Sequence, residues 1–369
     1  MNKFYTSLGL MSGTSADGVD ASIIQSDGDN QHKVILDIYF KYNTNIYRNI
    51  HNIKEKINDS EDLKKLSKEI RSLEKVITLF HADVVNKIIK KYKSNIDLVG
   101  FHGQTIFHNA KEKISRQLGD GKLLSKLAKK TIIYNFRQND LRNGGHGAPL
   151  TPIFHTLLKK KFLVKEATFV NIGGIVNITT ININNNMAGT DIGPGMCLID
   201  RWIRQKTKKN YDKGGIIAKS GKIHKNILKK LLKNFYEKEN ILDKKSVQSF
   251  DTKYFDFSFV KNLTLKDGAA TLTEFTAQII INALKKNNRK NEEIILCGGG
   301  RKNNFLTQKL KNKIKKIKLI DQYGVNGDFV ESQAFAYLAI RSYLKKFISF
   351  PETTGVKKSC LGGIIVKTK

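Results

Sequence analysis

The sequence of 369 residues contains only 3 cysteines, Cys197, Cys297 and Cys360, and they are scattered. They cannot form a disulfide framework, and the absence of a CxxC motif or a His/Cys cluster argues against a zinc site. No apolar run approaches the roughly 20 residues of a membrane span, and the first residues lack the apolar region of a signal peptide. These absences predict a reduced, cytoplasmic protein without a membrane partner.

Acidic residues are also scarce, because 33 Asp and Glu face 65 Lys and Arg, which gives a net charge of +32. Such a balance raises nucleic acid as a possible partner. However, the excess is mostly lysine, spread over predicted helix exteriors such as 159–161 and 311–318, and asparagine and isoleucine are abundant too. AT-rich codons explain all three biases, so nucleic acid is the less favoured partner.

Proline is scarce as well, with 4 residues, whereas hydrophobic residues make up 40% of the chain. This composition is typical of a globular α/β protein, and 369 residues suffice for two domains and more than one core. The sequence also lacks the G-x-x-x-x-G-K-[ST] phosphate loop and the motif set of protein kinases. A nucleotide site must therefore come from other glycine-rich segments.

The segment from Gly9 to Asp20 reads G-L-M-S-G-T-S-A-D-G-V-D, and its surroundings predict strand, tight turn and strand. Glycines let backbone N–H groups approach an anion, hydroxyls add donors, and carboxylates can hold Mg²⁺. These features indicate a phosphate loop, and an ordinary Gly/Asp/Ser hairpin is the alternative. The loop residues are Gly13, Thr14, Ser15, Ala16, Asp17, Gly18, Val19 and Asp20.

Two later segments repeat the glycine pattern. A second hairpin spans residues 167–179, with its turn at Gly173 and Gly174, and a buried strand near 293–297 runs into three glycines from Gly298. The two hairpins suggest two copies of one unit, and two such lobes would clamp a ligand in the cleft between their turns. Three glycines leave room for a flat adenine or a phosphate against bare backbone.

Hydrophobic periodicity places the other elements. Apolar residues at intervals of three and four predict one long helix from about Ser60 to Lys93, and another helix begins near Thr271, where Thr271 and Thr273 could cap it. Further strands are predicted near 33–42, 96–102, 131–136 and 187–195, and further helices over 196–204 and 329–347.

Polar side chains follow several of these strands, where open α/β sheets place their ligands. His102 and Gln104 could donate to a sugar oxygen, although a His after a strand is commonly a satisfied structural group. Arg137 suits recognition of a carboxylate, unless it pairs with Asp140 around a turn. Asp191 is well placed as a general base, unless it caps the helix that follows.

Nine segments stand in order along nearly the whole chain: G-L-M-S-G-T-S-A-D-G-V-D, F-H-G-Q-T, N-F-R-Q-N-D, G-G-H-G-A-P-L, N-I-G-G-I-V-N, D-I-G-P-G, D-G-A-A-T-L-T, C-G-G-G and E-S-Q-A-F-A. Together they resemble the anhydro-N-acetylmuramic acid kinase family, within the superfamily of acetate and sugar kinases, Hsp70 and actin. The resemblance implies an α/β fold of two actin-like (RNase H-like) lobes, with the ATP and sugar site in the cleft between them. We expect the N-terminal lobe at 1–130 with about 345–369, and the C-terminal lobe at 131–344.

The resemblance also implies roles for individual residues. Asp191 matches the catalytic base, and residues 13–20 match the first ATP phosphate loop, with Asp20 as the ligand for Mg²⁺. Gly173 and Gly174 would form the second phosphate loop. The glycines that would lie near the adenosine are Gly298, Gly299 and Gly300. The residues assigned to the sugar are Ser12, His102, Gln104, Arg137 and Glu331; placing Arg137 at the lactyl carboxylate is our own hypothesis.

The activity that the resemblance implies uses ATP and Mg²⁺. Asp191 would take a proton from water, which attacks the anomeric carbon of 1,6-anhydro-N-acetylmuramic acid, and the freed O6 would attack the γ-phosphate of ATP. The products would be N-acetylmuramic acid 6-phosphate and ADP, in recycling of cell-wall peptidoglycan. The alternatives are another sugar kinase or ATPase of the superfamily, and a nucleotide-dependent binder of nucleic acid. A homodimer is expected, because homodimers are the commonest oligomers.

The sequence departs from the family's pattern in three places. Met196 stands where Asn is usual after Gly-Pro-Gly, His146 stands where Gln is usual, and the segment 244–248 lacks the usual proline and glycine. These departures concern fine details of substrate recognition and leave the predicted fold and kinase activity unchanged.

Overall fold

The computed structural model describes residues 3–92, 95–241, 250, 252–286 and 292–368. The chain divides into two compact units: unit 1 comprises Met1–Lys161 with Asp328–Lys369, and unit 2 comprises Phe162–Gly327. These bounds differ from the expected lobes, because a strand at Thr131–Tyr134 pairs within the sheet of unit 1 and a helix at Val330–Tyr343 packs on that sheet.

The elements are numbered in chain order. The strands are β1 (Tyr5–Ser12), β2 (Gly18–Ser26), β3 (His32–Lys41), β4 (Leu98–Asn109), β5 (Ile114–Leu118), β6 (Thr131–Tyr134), β7 (Ala167–Ile172), β8 (Ile175–Ile181), β9 (Met187–Pro194), β10 (Glu293–Cys297), β11 (Ile317–Leu319) and β12 (Ile364–Val366). The helices are α1 (Thr44–Lys56), α2 (Ser60–Lys65), α3 (Ser67–Lys91), α4 (Gly121–Ala128), α5 (Gln138–Arg142), α6 (Pro152–Lys161), α7 (Cys197–Lys206), α8 (Ile216–Lys219), α9 (Lys225–Ile241), α10 (Leu265–Lys286), α11 (Asn304–Lys313), α12 (Val330–Tyr343) and α13 (Pro351–Thr354).

The sheet of unit 1 has the order β12-β6-β4-β1-β2-β3, and β5 pairs with β4. The first three strands form an antiparallel meander, whereas β4 and β6 run parallel to β1. The sheet of unit 2 has the order β11-β10-β7-β8-β9, again with an antiparallel meander (β7, β8, β9) and two parallel strands beside its first strand. This shared topology confirms the predicted α/β fold, in which one structural unit occurs twice.

Each unit has its own hydrophobic core. In unit 1 the core joins the sheet to α1 and α3, and in unit 2 it joins the sheet to α7, α9 and α10. The cores bury side chains such as Phe101 in unit 1 and Trp202 in unit 2, each at most 1% exposed. Apolar burial at about 25 cal/mol per Å² makes such clusters the main source of stability for each unit.

Two predictions about helices are wrong in detail. The long helix predicted from Ser60 is two helices, α2 and α3, with Leu66 between them, and the predicted end at Lys93 lies outside the described residues. Thr271 and Thr273 do not cap α10, because that helix begins at Leu265 and Thr273 Oγ1 donates to Ala269 O inside it, over 2.8 Å. Helix α1 was not predicted from the sequence. It packs against α3 and carries residues that contact the first glycine turn, at residues 13–17.

Helix α12 packs directly on β1 and β4 through two glycines. Gly9 and Gly100 are paired across the parallel strands β1 and β4. A Cβ on Gly9 would overlap Ser332 O, and a Cβ on Gly100 would overlap Phe335 O. Because both positions lack a side chain, the backbone of α12 reaches the sheet. Helix α12 also packs on β2, and Glu331 lies in its first turn.

Among the described residues, no helix has the length and apolar character that crossing a bilayer requires.

Candidate functional site

The first glycine turn is closed by a buried network of side chains. The Ser12 hydroxyl lies within donating distance of Gly18 O (2.8 Å) and Gln104 Oε1 (2.6 Å), and the Tyr42 hydroxyl donates to Ser12 Oγ over 3.1 Å. Gln104 Nε2 donates in turn to Gly13 O over 3.1 Å. The network therefore ties the start of the turn to its end. Burial raises the pKa of Tyr42, so its hydroxyl stays protonated and able to donate.

The residues of this turn differ in what their side chains do. Thr14, Ser15 and Asp17 are exposed, and Ser15 Oγ donates to Asp17 Oδ1 over 2.7 Å. Ala16 is fully buried, has a φ of 52° and donates its N–H to Gly13 O over 3.1 Å. A Cβ on Gly13 would meet no atom of the described residues within 4 Å. The backbone at Gly13 is thus open to a ligand, as a phosphate loop requires.

The last residues of the predicted loop belong to β2. Val19 is fully buried in the core of unit 1, so its side chain serves the fold. Gly18 lies against β3, where a Cβ would come within 2.5 Å of Phe40 O. Of the predicted loop residues, these two therefore fix the turn to the sheet, whereas Thr14, Ser15 and Asp17 are exposed and Gly13 is partly exposed.

Asp20 lies on β2 in an acidic environment. Burial, followed by the charges of Glu331, Asp17, Asp328 and Asp37, raises the pKa of Asp20 to about 8. Across the part of the chain that the structure describes, no three His, Cys, Asp or Glu side chains are grouped as a metal cage would need. Mg²⁺ in kinases typically uses one or two carboxylates with water and substrate phosphates. One partly buried carboxylate whose neighbours favour a nearby cation fits that mode of binding.

Backbone hydrogen bonds hold the second glycine turn, at Gly173 and Gly174. Gly195 N and Cys197 N donate to Gly174 O over 3.0 and 3.2 Å, and Met196 N donates to Gly173 O over 2.9 Å. A Cβ on Gly195 would overlap Gly173 O, which explains the glycine there. The first N–H groups of a helix have no acceptor within the helix. At the start of α7 they donate to the carbonyl oxygens of the 173–174 turn.

Asp191 lies in β9 at an irregularity of the sheet. Val176 pairs with Gly193 and Asn177 pairs with Asp191, so β9 has one extra residue, Ile192, between the two pairs. Bulges of this kind are common beside active sites, where they redirect a side chain. The carboxylate is 8% exposed, and its Oδ2 accepts the backbone N–H of Phe250 over 2.9 Å. The alternative that Asp191 caps the next helix is wrong, because the N-cap of α7 is Met196.

Asparagines extend a polar row from Asp191 across the sheet. Asn177 is paired with Asp191 on one side and with Asn171 on the other. The Oδ1 atom of Asn177 is buried, and no described residue forms a hydrogen bond with it. Both asparagines stand in the N-I-G-G-I-V-N segment, but sequence reasoning assigned them no role because a residue's partner across a sheet depends on register.

His102 and Arg137 are joined by hydrogen bonds. Arg137 donates from Nε and Nη2 to His102 Nε2 over 3.1 and 3.0 Å, and from Nη1 to Gly147 O over 2.7 Å. Because a guanidinium cannot accept, His102 carries its proton on Nδ1 and donates it to Gly103 O over 2.8 Å. Burial, and then the Arg137 charge, lower the pKa of His102 well below its usual value, so the ring is neutral.

Asp140 has partners of its own in the same region. Its Oδ2 accepts Gly147 N over 2.6 Å, and its Oδ1 accepts the Thr354 hydroxyl over 2.6 Å. These bonds shape the glycine-rich loop whose Gly147 carbonyl holds Arg137. His102 and Gln104 were both predicted to bind the sugar. In the structure His102 contacts Arg137, whereas Gln104 forms hydrogen bonds with the first glycine turn.

The third glycine segment packs on the end of β7. Gly298 has a φ of 77°, and a Cβ there would overlap Asn171 Oδ1; a Cβ on Gly300 would overlap Ile172 Cγ2. Gly299 differs, since a Cβ there would lie more than 4 Å from every atom in the described part of the chain. Gly298 and Gly300 therefore allow close packing, and Gly299 leaves backbone open beside the strand end.

Arg301, which sequence reasoning missed, orients this glycine segment. It donates to both carboxylate oxygens of Asp321, over 2.7 and 2.8 Å, and to Gly298 O over 3.1 Å. The hydrogen bonds from Arg301 lower the pKa of Asp321, so the pair stays ionised. The only sequence signal was an Arg directly after three glycines.

Two of the three departures from the family pattern donate a backbone N–H within their own unit, and the third lies outside the described residues. Met196 contacts the second turn through its N–H and packs its side chain on the core of unit 2. His146 donates its backbone N–H to Thr354 O over 2.7 Å. The segment 244–248 lies outside the described residues.

Comparison with known proteins places the whole chain in one family. The family model "Anhydro-N-acetylmuramic acid kinase" matches residues 5–368. Proteins of that name from Pelagibacter ubique and Zymomonas mobilis are 54% and 34% identical, over 100% and 97% of this chain and 100% and 98% of their own lengths. A solved structure, the (R)-2-hydroxyglutaryl-CoA dehydratase component A of Acidaminococcus fermentans, is 12% identical with a TM-score of 0.45, covering 92% of this chain and 100% of that one. This structural likeness is weak, so the assignment rests on the family model and the sequence relatives. The chain therefore belongs to the anhydro-N-acetylmuramic acid kinase family.

Proposed function

We propose that this chain is a carbohydrate kinase that uses ATP to open 1,6-anhydro-N-acetylmuramic acid with water and to phosphorylate its O6, in the cytoplasm, as a step of peptidoglycan recycling. The observation that carries the proposal is the match to the family over residues 5–368, which includes Asp191 and both glycine turns. The geometry of Asp191 supports it, because a buried carboxylate held by a backbone N–H at a bulge has a fixed direction.

Asp191 acts as the general base in this proposal. It removes a proton from water, the water oxygen bonds to the anomeric carbon, and the bond from that carbon to the bridging oxygen breaks. The bridging oxygen becomes O6, which attacks the γ-phosphate and displaces ADP. Sugar, water and ATP thus give N-acetylmuramic acid 6-phosphate, ADP and one proton. A positioned base of this kind typically contributes roughly 100- to 10,000-fold to a rate.

Backbone groups of the two glycine turns and of the third glycine segment bind ATP in this proposal. Residues 13–17 face the phosphates, the 173–174 turn forms the second phosphate contact, and Gly299 offers open backbone to the adenosine. Asp20 holds Mg²⁺ together with water and phosphate oxygens. When bound, the ion neutralises charge on the transferred phosphoryl group.

The sugar-binding assignments follow the contacts inside unit 1. Arg137, oriented by His102, binds the lactyl carboxylate, and Glu331 contacts the sugar from the start of α12. Ser12 and Gln104 contribute by holding the turn beside the sugar. Arg137→Lys keeps the charge but loses the planar fork, so the KM for the sugar should rise far more than kcat falls. An unchanged KM would contradict the assignment to the carboxylate.

Sugar-dependent release of ADP tests the proposed function. Purified protein is incubated with Mg-ATP, with and without 1,6-anhydro-N-acetylmuramic acid, and the phosphosugar is identified by mass spectrometry. We expect ADP release only with the sugar, and its loss in Asp191→Asn. Asp256→Asn is the matched control, since Asp256 is an exposed aspartate of the same unit that bonds Ser258. ADP release at the same rate with and without the sugar would instead support the activity of another kinase or of an ATPase of the superfamily.

The cytoplasmic location and a homodimeric state stay predictions.

A further inference from the structure

Helix α1 contacts the first glycine turn through two side chains that no motif identified. Lys54 Nζ donates to Thr14 O over 3.2 Å, and His51 Nε2 lies 3.2 Å from Ser15 O. A carbonyl oxygen can only accept, so His51 is the donor in its pair. The two residues are three positions apart on the helix and therefore share one face. The His51 ring is also packed against Tyr47, with 4.3 Å between ring centroids.

Donors from other elements hold most of the remaining carbonyls of the turn. Asp17 O accepts Tyr42 N over 2.9 Å and the Tyr39 hydroxyl over 3.0 Å. Gly13 O accepts Gln104 Nε2, and the Ser12 hydroxyl reaches Gly18 O. Five carbonyls between residues 13 and 18 thus have donors from outside the turn or from its flanks.

This arrangement fixes the direction of the amide groups. In a trans peptide unit the C=O and the following N–H point in opposite directions. Anchoring Thr14 O and Ser15 O to α1 therefore turns the N–H groups of Ser15 and Ala16 away from that helix. Successive N–H groups on one side of a turn make a concavity for an anion. Since Ala16 N bonds to Gly13 O, Ser15 N is the amide that this anchoring directs at a ligand.

We propose that His51 and Lys54 are positioning residues for nucleotide phosphates: they hold the carbonyl side of the first turn, so that its amide side is fixed before ATP binds. This inference rests on the proposed function, in which the turn binds the phosphates of ATP. Neither side chain needs to touch the nucleotide. Loss of either contact weakens ATP binding because the loop must then be ordered at the moment of binding.

The variants are chosen to distinguish the loss of a hydrogen bond to the first turn from a change in net charge. His51→Leu, Lys54→Met and the double variant remove the contacts, whereas His51→Gln and Lys54→Arg retain a donor of similar reach. Lys56→Met is the matched control, because Lys56 stands on the same helix and pairs with Glu69 over 2.8 Å instead of with the turn. It changes the net charge by the same amount as Lys54→Met.

Two measurements are made on each variant. Hydrogen–deuterium exchange without nucleotide measures how well ordered the first turn is before ATP binds. The Kd and KM for Mg-ATP measure how strongly the protein binds the nucleotide. We expect faster exchange in residues 13–18 alone, and a rise of roughly 3- to 10-fold in Kd and KM for ATP for each lost contact. The KM for the sugar should stay unchanged, and the donor-retaining variants should restore most of the affinity.

Each outcome decides the inference. Unchanged exchange and unchanged Kd in the double variant would overturn it, and so would an equal effect from Lys56→Met, which would show a general charge effect. If wild-type protein binds Mg-ATP but releases no ADP with the sugar, the proposed function fails, and the shifts in exchange and Kd still decide the role of α1. If wild-type protein does not bind Mg-ATP, both are overturned.

Discussion

The two glycine turns occupy the same topological position in the two units but are held by different kinds of group. The turn at residues 13–17 is held mainly by side chains, which come from β1, β3, β4 and α1. The turn at 173–174 is held by backbone N–H groups of residues 195–197. The first turn is therefore sensitive to substitutions far away in sequence, whereas the second is sensitive to changes that add a Cβ where none fits or that remove a backbone N–H.

The departure at Met196 illustrates this difference. Its contact with Gly173 O uses the backbone N–H, which every residue except proline possesses. A change from the family's usual Asn therefore leaves the second turn intact. In the first turn, a comparable change at Gln104 would remove a donor and an acceptor together.

The largest expected effect comes from adding a single Cβ to the second turn. Gly195→Ala would overlap Gly173 O and contact Val176, so the turn or α7 must move. We expect a loss of roughly 1–3 kcal/mol in the free energy of unfolding, together with weaker ATP binding. Urea denaturation of wild type and variant measures the loss. An unchanged midpoint would show that the second turn is not held as described.

Gly13→Ala is the counterpart in the first turn. Its Cβ would meet none of the described residues within 4 Å, so the free energy of unfolding should change by no more than about 0.5 kcal/mol. The KM for ATP should nevertheless rise, because the new methyl group stands where phosphate approaches the backbone. The two variants thus distinguish a glycine that the fold needs from a glycine that faces the ligand. If the KM for ATP rose in Gly195→Ala but not in Gly13→Ala, the assignment of Gly13 to the phosphates would be contradicted.

An effect of similar size is expected from removing side-chain support of the first turn. Gln104→Leu removes one of the two acceptors within reach of the buried Ser12 hydroxyl and also removes a donor to Gly13 O, at a cost of about 1–3 kcal/mol. Met196→Leu is the matched change in the second turn and should be nearly neutral. Denaturation midpoints and KM for ATP, measured for both variants, check the contrast. Equal effects would remove the distinction between the two turns.

The last prediction concerns pH. The pKa of Asp20 is raised from 3.8 to about 8, so the folded protein retains a proton that the unfolded chain releases. The stability due to this proton is fully present below pH 3.8 and is lost as pH rises towards 8. Asp20→Asn should flatten this part of the pH profile, measured without Mg²⁺ or nucleotide. An identical profile in the variant would contradict the raised pKa.

The hairpins and their glycine turns could be predicted from sequence because their signals are local. Alternating apolar residues and a glycine turn specify β1–β2 and β7–β8 within about 20 residues each, and both were confirmed. Helix α1 was missed, although Asn43 caps it by accepting Ile46 N over 2.8 Å. Short strands such as β11 and β12 were also missed, since three residues carry too little pattern to be distinguished from loop.

The partners within the site could not be predicted in the same way. His51 and Lys54 lie 36 and 40 positions from the carbonyls that they hold, and Gln104 lies 92 positions from Ser12. His102 and Arg137 were each assigned to the sugar from residue type, but their mutual hydrogen bonds depend on the parallel pairing of β4 and β6. Sequence reasoning finds the residue types at strand ends, and sheet register decides which of them meet.

By itself, the sequence determined where this protein turns, which strands are buried and which polar residues end them, because glycine conformation and side-chain alternation act over a few residues. Only the tertiary structure decided that Asp20 lies among four other carboxylates and holds its proton to a pH of about 8. It also decided that side chains hold one turn and backbone holds the other. Burial and charge act through space, and a linear pattern does not contain those distances.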